Sequence, residues 1–217
     1  MVPIIPVVGK SDAGKTTFLE KLIGELTRRG WRVGTIKHDA HRFDIDKPGK
    51  DSWRHAQAGS RAVAISSPEK VAVIKQVSRE VTLDELASLE AGEVDIVLCE
   101  GYKRSEKPKI EVSRQAAGTE LLCSADELIA LVSDRRHGLD VPQFGLDDAA
   151  GVAGLLEERF LRRGEAEDVA LLVDGRYIML KPFARNMLDR TVRALLTLLD
   201  GCEQAKEVTL TLREKRG

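Results

Sequence analysis

The octapeptide Gly9-Lys10-Ser11-Asp12-Ala13-Gly14-Lys15-Thr16 is a complete G-x-x-x-x-G-K-[ST] phosphate-binding loop. It constrains the fold because such a loop works between a strand and a helix, and both flanks are present. Ile4, Ile5, Val7 and Val8 form a β-rich apolar run before it, and Phe18, Leu19, Leu22, Ile23 and Leu26 recur on one helical face after it, with Gly30 placed as a stop. The glycines allow positive φ and let successive backbone N–H groups close around a polyphosphate. Lys15 sets a point charge on the β/γ-phosphates, and the Thr16 hydroxyl is a candidate Mg²⁺ ligand. The helix that begins there aims the positive end of its dipole at the same anion. The loop names a purine nucleoside triphosphate as ligand and leaves the reaction open.

Further along, Trp31 to His38 reads as a second strand, and Arg61 to Ile65 and Val71 to Gln76 are β-rich on either side of a Ser-Ser-Pro turn. Thr82 and Glu85 have the spacing of a capping box for a short helix carrying Leu83, Leu86 and Leu89. Asp95 to Cys99, Lys109 to Val112 and Leu128 to Val132 read as further strands, and Asp147 is expected to cap a helix that runs to about Arg163. Strands alternating with helices imply an α/β fold: an open, largely parallel, doubly wound sheet with helices on both faces. Pro6 disagrees, because a central strand loses a ladder bond at proline. A charged stretch from Arg162 to Asp168 ends the alternation. Beyond it, Val169 to Val173, the turn Asp174-Gly175 and Arg176 to Leu180 predict a hairpin. Leu188, Val192, Leu195, Leu196 and Leu199 then line a helix ended by Gly201, and Val208, Leu210 and Leu212 alternate as a last strand. The expected domains are therefore residues 1–164, a nucleotide-binding unit, and 165–217, a small ββαβ extension too short for a secure core of its own.

Glu100 is the second anchor of the expected site. It ends the apolar strand Ile96-Val97-Leu98-Cys99, ligands bind beyond the carboxyl ends of such strands, and a carboxylate there can hold Mg²⁺ directly or through water. Lys103, Arg104, Lys107 and Lys109 follow it and are candidates for receiving a phosphorylated substrate, or else line a solvated face. The segment Lys37 to Ser52 begins at the same sheet edge and suits a loop that senses the γ-phosphate or holds a second anion. One of Asp39, Asp46 or Asp51 is placed to polarise an attacking water; spacing does not choose among them, and Asp51 is carried forward with Lys15 as the candidate catalytic pair. No N-K-x-D guanine motif is present, but Asp134 closes a strand at the correct edge, where its carboxylate either accepts from guanine N1 and N2 or caps a turn.

Composition removes several classes. The 217 residues carry 34 basic and 35 acidic side chains, net charge -1, so no global field favours nucleic acid. Cys99, Cys123 and Cys202 have no C-x-x-C spacing, which argues against a zinc site and for a reducing, cytoplasmic setting. No stretch is long and apolar enough to span a bilayer, and the N-terminal apolar run is too short for a signal peptide.

The run Gly9 to Thr17 with Phe18-Leu19-Glu20-Lys21-Leu22-Ile23, the segment Lys37-His38…Phe43-Asp44…Asp46…Pro48-Gly49-Lys50-Asp51-Ser52, the following Ala58-Gly59, and Glu100-Gly101-Tyr102-Lys103 together resemble the molybdopterin-guanine dinucleotide biosynthesis protein B (MobB) family over about residues 1–160. The resemblance implies a dimeric, Mg²⁺-dependent GTP-binding adapter with weak GTPase activity, which assists the nucleotidyltransferase that attaches GMP to molybdopterin. It implies that Gly9 to Thr17, Lys10 included, hold the GTP phosphates, that Glu100 serves Mg²⁺, and that Lys37 to Ser52 is the switch or cofactor-facing region, with molybdopterin a further candidate ligand. Lys10 also matches the position of a lysine that reaches across a dimer in one class of phosphate-loop proteins, although Ser11-Asp12 replaces the glycines usual there. The alternative is a small-molecule kinase or ATP-dependent ligase of the dethiobiotin synthetase type, which shares the loop and a Glu-Gly strand end.

Overall fold

Ile4–Val8 (β1) is buried along its whole length, as a strand covered on both faces must be. The phosphate loop and Lys15–Arg28 (α1) follow. The chain continues through Val33–Lys37 (β2), Asp51–Gln57 (α2), Ala62–Ser66 (β3), Val71–Lys75 (β4), Leu83–Ser88 (α3), Ile96–Glu100 (β5), Lys109–Ser113 (β6), Leu128–Ser133 (β7), Gln143–Phe144 (β8), Ala149–Phe160 (α4), Leu171–Val173 (β9), Arg176–Ile178 (β10) and Pro182–Leu196 (α5). This computed structural model describes residues 2–38, 45–90, 92–161, 169, 171–173, 176–178, 180–199, 208 and 210. The chain divides into two compact units, Val2–Arg163 and Gly164–Gly217 with Met1.

In the first unit six strands form one sheet in the order β2-β5-β1-β6-β7-β8, and every neighbouring pair is parallel. The strand alternation divides the apolar residues between the sheet's faces. Ile5, Val7, Ile96, Leu98, Ile110 and Val112 pack with Phe18, Leu22 and Leu26 of α1 and with Val152, Ala153 and Leu156 of α4. Ile4, Val97 and Cys99 pack with Leu83 and Ala87 of α3 on the other side. Glu157 of α4 ties the first layer together, accepting from Trp31 Nε1 at 2.7 Å and from Arg29 Nη1 at 2.6 Å.

Pro6 does sit in the central strand, opposite Cys99. Pro3 and Val7 give their carbonyls to the β5 side, so by alternation Pro6 faces β6, where pairing starts only at Val7. The missing N–H therefore falls at the open start of that ladder. The two β-rich segments at 61–76 do not join the main sheet; β3 and β4 form an antiparallel hairpin of their own. The capping box at Thr82 and Glu85 forms in both directions. The cap of α4 is a correction: Asp148, not Asp147, accepts from the Gly151 N–H, and Asp147 reaches back to Lys21 on α1 instead. β8, only two residues long, had no legible periodicity.

Strand β6 reads Lys-Ile-Glu-Val-Ser yet is wholly buried. Lys109 is 1% exposed and pairs with Glu127 at 3.0 Å. Glu111, also 1% exposed, accepts from the backbone N–H groups of Leu122 and Cys123 at 2.7 and 3.0 Å. These partners satisfy charges that burial would otherwise penalise heavily, and they pin the β6–β7 crossover beside the phosphate loop.

In the second unit β9 and β10 pair antiparallel, and α5 opens with Pro182 in its first turn, where proline's missing N–H is harmless. The turn at 174–175, Gly201 and most of the last predicted strand lie outside the described residues.

Candidate phosphate-binding site

The site lies at the carboxyl edge of the sheet, where β1 is flanked by β5 on one side and β6 on the other. Gly9 leaves β1 with φ 153°, and a Cβ on it would run into the Val112 carbonyl of β6. Only glycine lets the loop lie this close to the neighbouring strand. Ser11 and Asp12 form the exposed tip, Asp12 at φ 60° and Ala13 buried beneath it. Gly14, at φ 89°, is the N-cap of α1. That helix has no side-chain cap and no acidic residue in its first turn, so its first N–H groups and its dipole are left for an external anion.

Lys15 bends back over the loop and donates to the Lys10 carbonyl at 2.8 Å. Thr16 donates its hydroxyl proton to Glu100 Oε1 at 3.0 Å, across 84 residues of sequence. The two expected metal ligands are thus adjacent, and Thr17 is exposed one residue further along α1. Among the described residues no group of three or more His, Cys, Asp or Glu side chains converges to hold a metal by itself. Hard oxygens from Thr16 and Glu100, completed by phosphate and water, suit Mg²⁺, which seldom takes an all-protein cage.

Glu100 is fixed from behind. Its carbonyl accepts from the His38 N–H at 3.0 Å, and Gly101 donates to the Val7 carbonyl at 3.1 Å. Gly101 (φ 98°) and Tyr102 (φ 58°) both take left-handed conformations, which reverses the chain directly after the carboxylate at some cost in strain. The Tyr102 ring tilts against His38, centroids 4.8 Å apart, and His38 Nε2 lies 2.9 Å from Glu80 Oε1. Burial pushes the Tyr102 hydroxyl pKa upward, and it pushes the Cys99 thiol, just before Glu100, up to about 12. Cys99 is therefore an inert packing residue.

Other expected residues stand further from the loop's chemistry. Lys10 turns toward its own β6–β7 crossover, 3.8 Å from Glu120 and close over Gly118. Asp134 ends just past β7 and accepts the Gln115 N–H with both oxygens, at 3.0 and 3.3 Å. It thus caps a short turn and still has lone pairs to spare. Asp51 opens α2 with an exposed side chain 3.8 Å from Arg54, and among the described residues no hydrogen bond or ion pair joins α2 to the loop. Asp46, at φ 104°, instead organises this segment by accepting from Ser52 Oγ. Asp39 and His41 lie outside the described residues. The basic run is split: Lys103 and Arg104 are exposed, Lys107 pairs with Asp84 at 2.7 Å, and Lys109 is inside the core. Sequence reasoning missed Arg114, which follows β6 and lays its guanidinium against Gly14. Its place after a strand put it at the ligand-binding edge, but no local signal told that β6 lies next to β1.

The model for the family MobB, "Molybdopterin guanine dinucleotide synthesis protein B", matches residues 4–134. The chain belongs to the MobB family. The match takes in the loop, Glu100, Arg114 and Asp134 of this MobB chain and stops short of the second unit. Among relatives, the molybdopterin-guanine dinucleotide biosynthesis adapter protein of Haemophilus influenzae is 42% identical over 147 residues, 67% of this chain and 82% of that protein. The adapter protein of the same description in Escherichia coli is 38% identical over 163 residues, 73% of this chain and 93% of that protein. The crystal structure of Bacillus subtilis MobB superposes with a TM-score of 0.56 at 27% identity, covering 72% of this chain and 97% of that one.

Proposed function

We propose that this MobB-family chain is a Mg²⁺-dependent GTP-binding adapter with slow GTPase activity, acting with a guanylyltransferase partner in the conversion of molybdopterin to molybdopterin-guanine dinucleotide. Family membership supports the role in molybdenum cofactor biosynthesis. The observation that carries the nucleotide part is the Thr16–Glu100 pair at 3.0 Å, set at the head of an uncapped helix beside the Lys15 loop. In this reading Gly9 to Thr17 bind the phosphates, Thr16 and Glu100 would hold the metal, and Mg²⁺ there would supply charge neutralisation at the phosphates. Lys15 must leave the Lys10 carbonyl to meet the phosphates. Slow turnover fits the absence, among the described residues, of any hydrogen bond or ion pair between Asp51 and the loop. Asp134 is the candidate guanine acceptor, and the Lys37–Ser52 side is assigned to molybdopterin as second ligand. Free, buried Cys99 and Cys123 suit a reducing cytoplasm.

The reading includes a homodimer. The β3–β4 hairpin supports it: Val71 and Val73 are 67% and 55% exposed and Ile65 is 44% exposed, on a two-stranded ribbon with open edges. Such a ribbon is marginal alone and gains from pairing.

Titration calorimetry with GTP and ATP, each with and without Mg²⁺, tests the proposal on the wild type and on Lys15→Ala. GTP binding strengthened by Mg²⁺ and lost in Lys15→Ala is expected. Absence of GTP binding by the wild type would defeat the reading, and ATP preference with turnover of an acid substrate would favour the ligase or kinase alternative.

A further inference from the structure

The central strand has two neighbours, and they deliver opposite charges to the loop. β5 ends in Glu100, which meets Thr16. β6 runs on into Arg114, whose guanidinium reaches Gly14: a Cβ there would stand 3.6 Å from Nη2 and 3.8 Å from Cζ. Gly14 is the left-handed N-cap of α1, so the guanidinium sits beside the end of the helix where unpaired N–H groups collect. Arg114 is exposed and, among the described residues, forms no ion pair or side-chain hydrogen bond. The nearby Asp147 carboxylate feels it only as a lesser influence behind its own partner, Lys21. Two positive sources, an uncapped helix end and a guanidinium without an ion-pair partner among the described residues, therefore lie side by side at the loop.

We propose that Arg114 is a nucleotide-binding residue that grips the α/β-phosphate oxygens on the side of the loop away from the metal. This rests on the nucleotide reading above. The side follows from strand order: Thr16 and Glu100, which would hold a metal serving the terminal phosphates, lie toward β5, and β6 lies across β1 from them. A planar guanidinium matches two phosphate oxygens at once, which a lysine cannot do. Arg114 therefore serves affinity for di- and triphosphates alike, and its role is binding rather than turnover.

Arg114→Ala and Arg114→Lys test this beside the wild type and Lys15→Ala, by calorimetry with GTP and GDP and by single-turnover GTP hydrolysis. Circular dichroism checks the fold, which an exposed, unpaired side chain should leave intact. Arg114→Ala is expected to weaken GTP and GDP binding by a similar factor of about ten to a hundred. Arg114→Lys should recover part of that loss, and Arg114→Ala should slow hydrolysis of bound GTP by a smaller factor than it weakens binding. Unchanged affinity in Arg114→Ala, with binding abolished in Lys15→Ala, overturns the proposal and leaves the nucleotide site standing. Unchanged affinity with hydrolysis slowed more than about a hundredfold also overturns it, making Arg114 a transition-state residue. A wild type that binds neither nucleotide overturns both readings together.

Discussion

Glu111 offers a severe test of how the site's scaffold is held. Its carboxylate is interior, has no cationic partner among the described residues, and is satisfied by two backbone donors of the β6–β7 crossover. Hydrogen bonds to a charged acceptor contribute about 1.5–3 kcal/mol each, and a buried donor left alone costs about 1–3 kcal/mol. In Glu111→Ala the Cys123 N–H stays buried and is orphaned, whereas Leu122, 41% exposed, can turn its N–H to water. Removing the carboxylate also relieves its own desolvation. The net expectation is a loss of about 2–3 kcal/mol, which for a unit of this size lowers Tm by roughly 5–10 °C. Glu111→Gln keeps one carbonyl oxygen for Cys123 but turns a second donor toward Leu122, so it should fall between. Urea unfolding followed by circular dichroism measures both, with the m-value unchanged. A Glu111→Ala loss below about 0.5 kcal/mol would refute the view that these two bonds hold the crossover.

Thr16→Ala and Glu100→Gln should each cut the Mg²⁺-dependent gain in GTP affinity by about tenfold or more while leaving Mg²⁺-free binding nearly unchanged, as read by calorimetry. Stability should fall in acid. Glu127 is held at about 2, first by the hydrogen bond from Lys109 and then by those from Ser124, and Glu25 is held at about 2 by Arg28 and Arg29. Since folded values lie below the ordinary carboxylate value of 4.5, their contribution is complete above about pH 4.5 and is lost as pH falls toward 2. Glu127→Gln should flatten that slope in pH-dependent urea midpoints; an unchanged slope would discount the Lys109 pair. Val71→Lys combined with Val73→Lys should shift a dimer to monomer in light scattering without lowering the nucleotide affinity measured per chain.

The loop and the strand-end position of Glu100 were legible because each rests on a local pattern: a motif with its flanks, and an acid ending an apolar strand. Their meeting at Thr16 and Glu100 followed from the rule for parallel sheets. Arg114 was not legible, because nothing near residue 114 says that β6 lies beside β1. β6 misled in a different way. Its alternating Lys109, Glu111 and Ser113 look half-exposed, and only distant partners, Glu127 and the N–H groups of 122 and 123, make their burial tolerable. At the start of α4, Asp147 and Asp148 offer the same cap chemistry one residue apart, and Lys21 of α1 decides between them. The run from Lys103 to Lys109 looked uniform, yet its members sit in three environments that only the crossover between β5 and β6 separates.

The position of β1 has a consequence for biogenesis. It is synthesised before its sheet partners β5 and β6, which begin about ninety and a hundred residues later, so its pairing has high contact order and waits on most of the domain. Until β6 is synthesised, the Val112 carbonyl that backs Gly9 does not exist, and β1, apolar on both faces, has only β5 to pair with. A chain truncated before residue 112 therefore carries the whole octapeptide without the strand that backs it, and it leaves the β6 edge of β1 uncovered. The geometry of the phosphate loop is thus a property of the completed sheet, not of its motif alone.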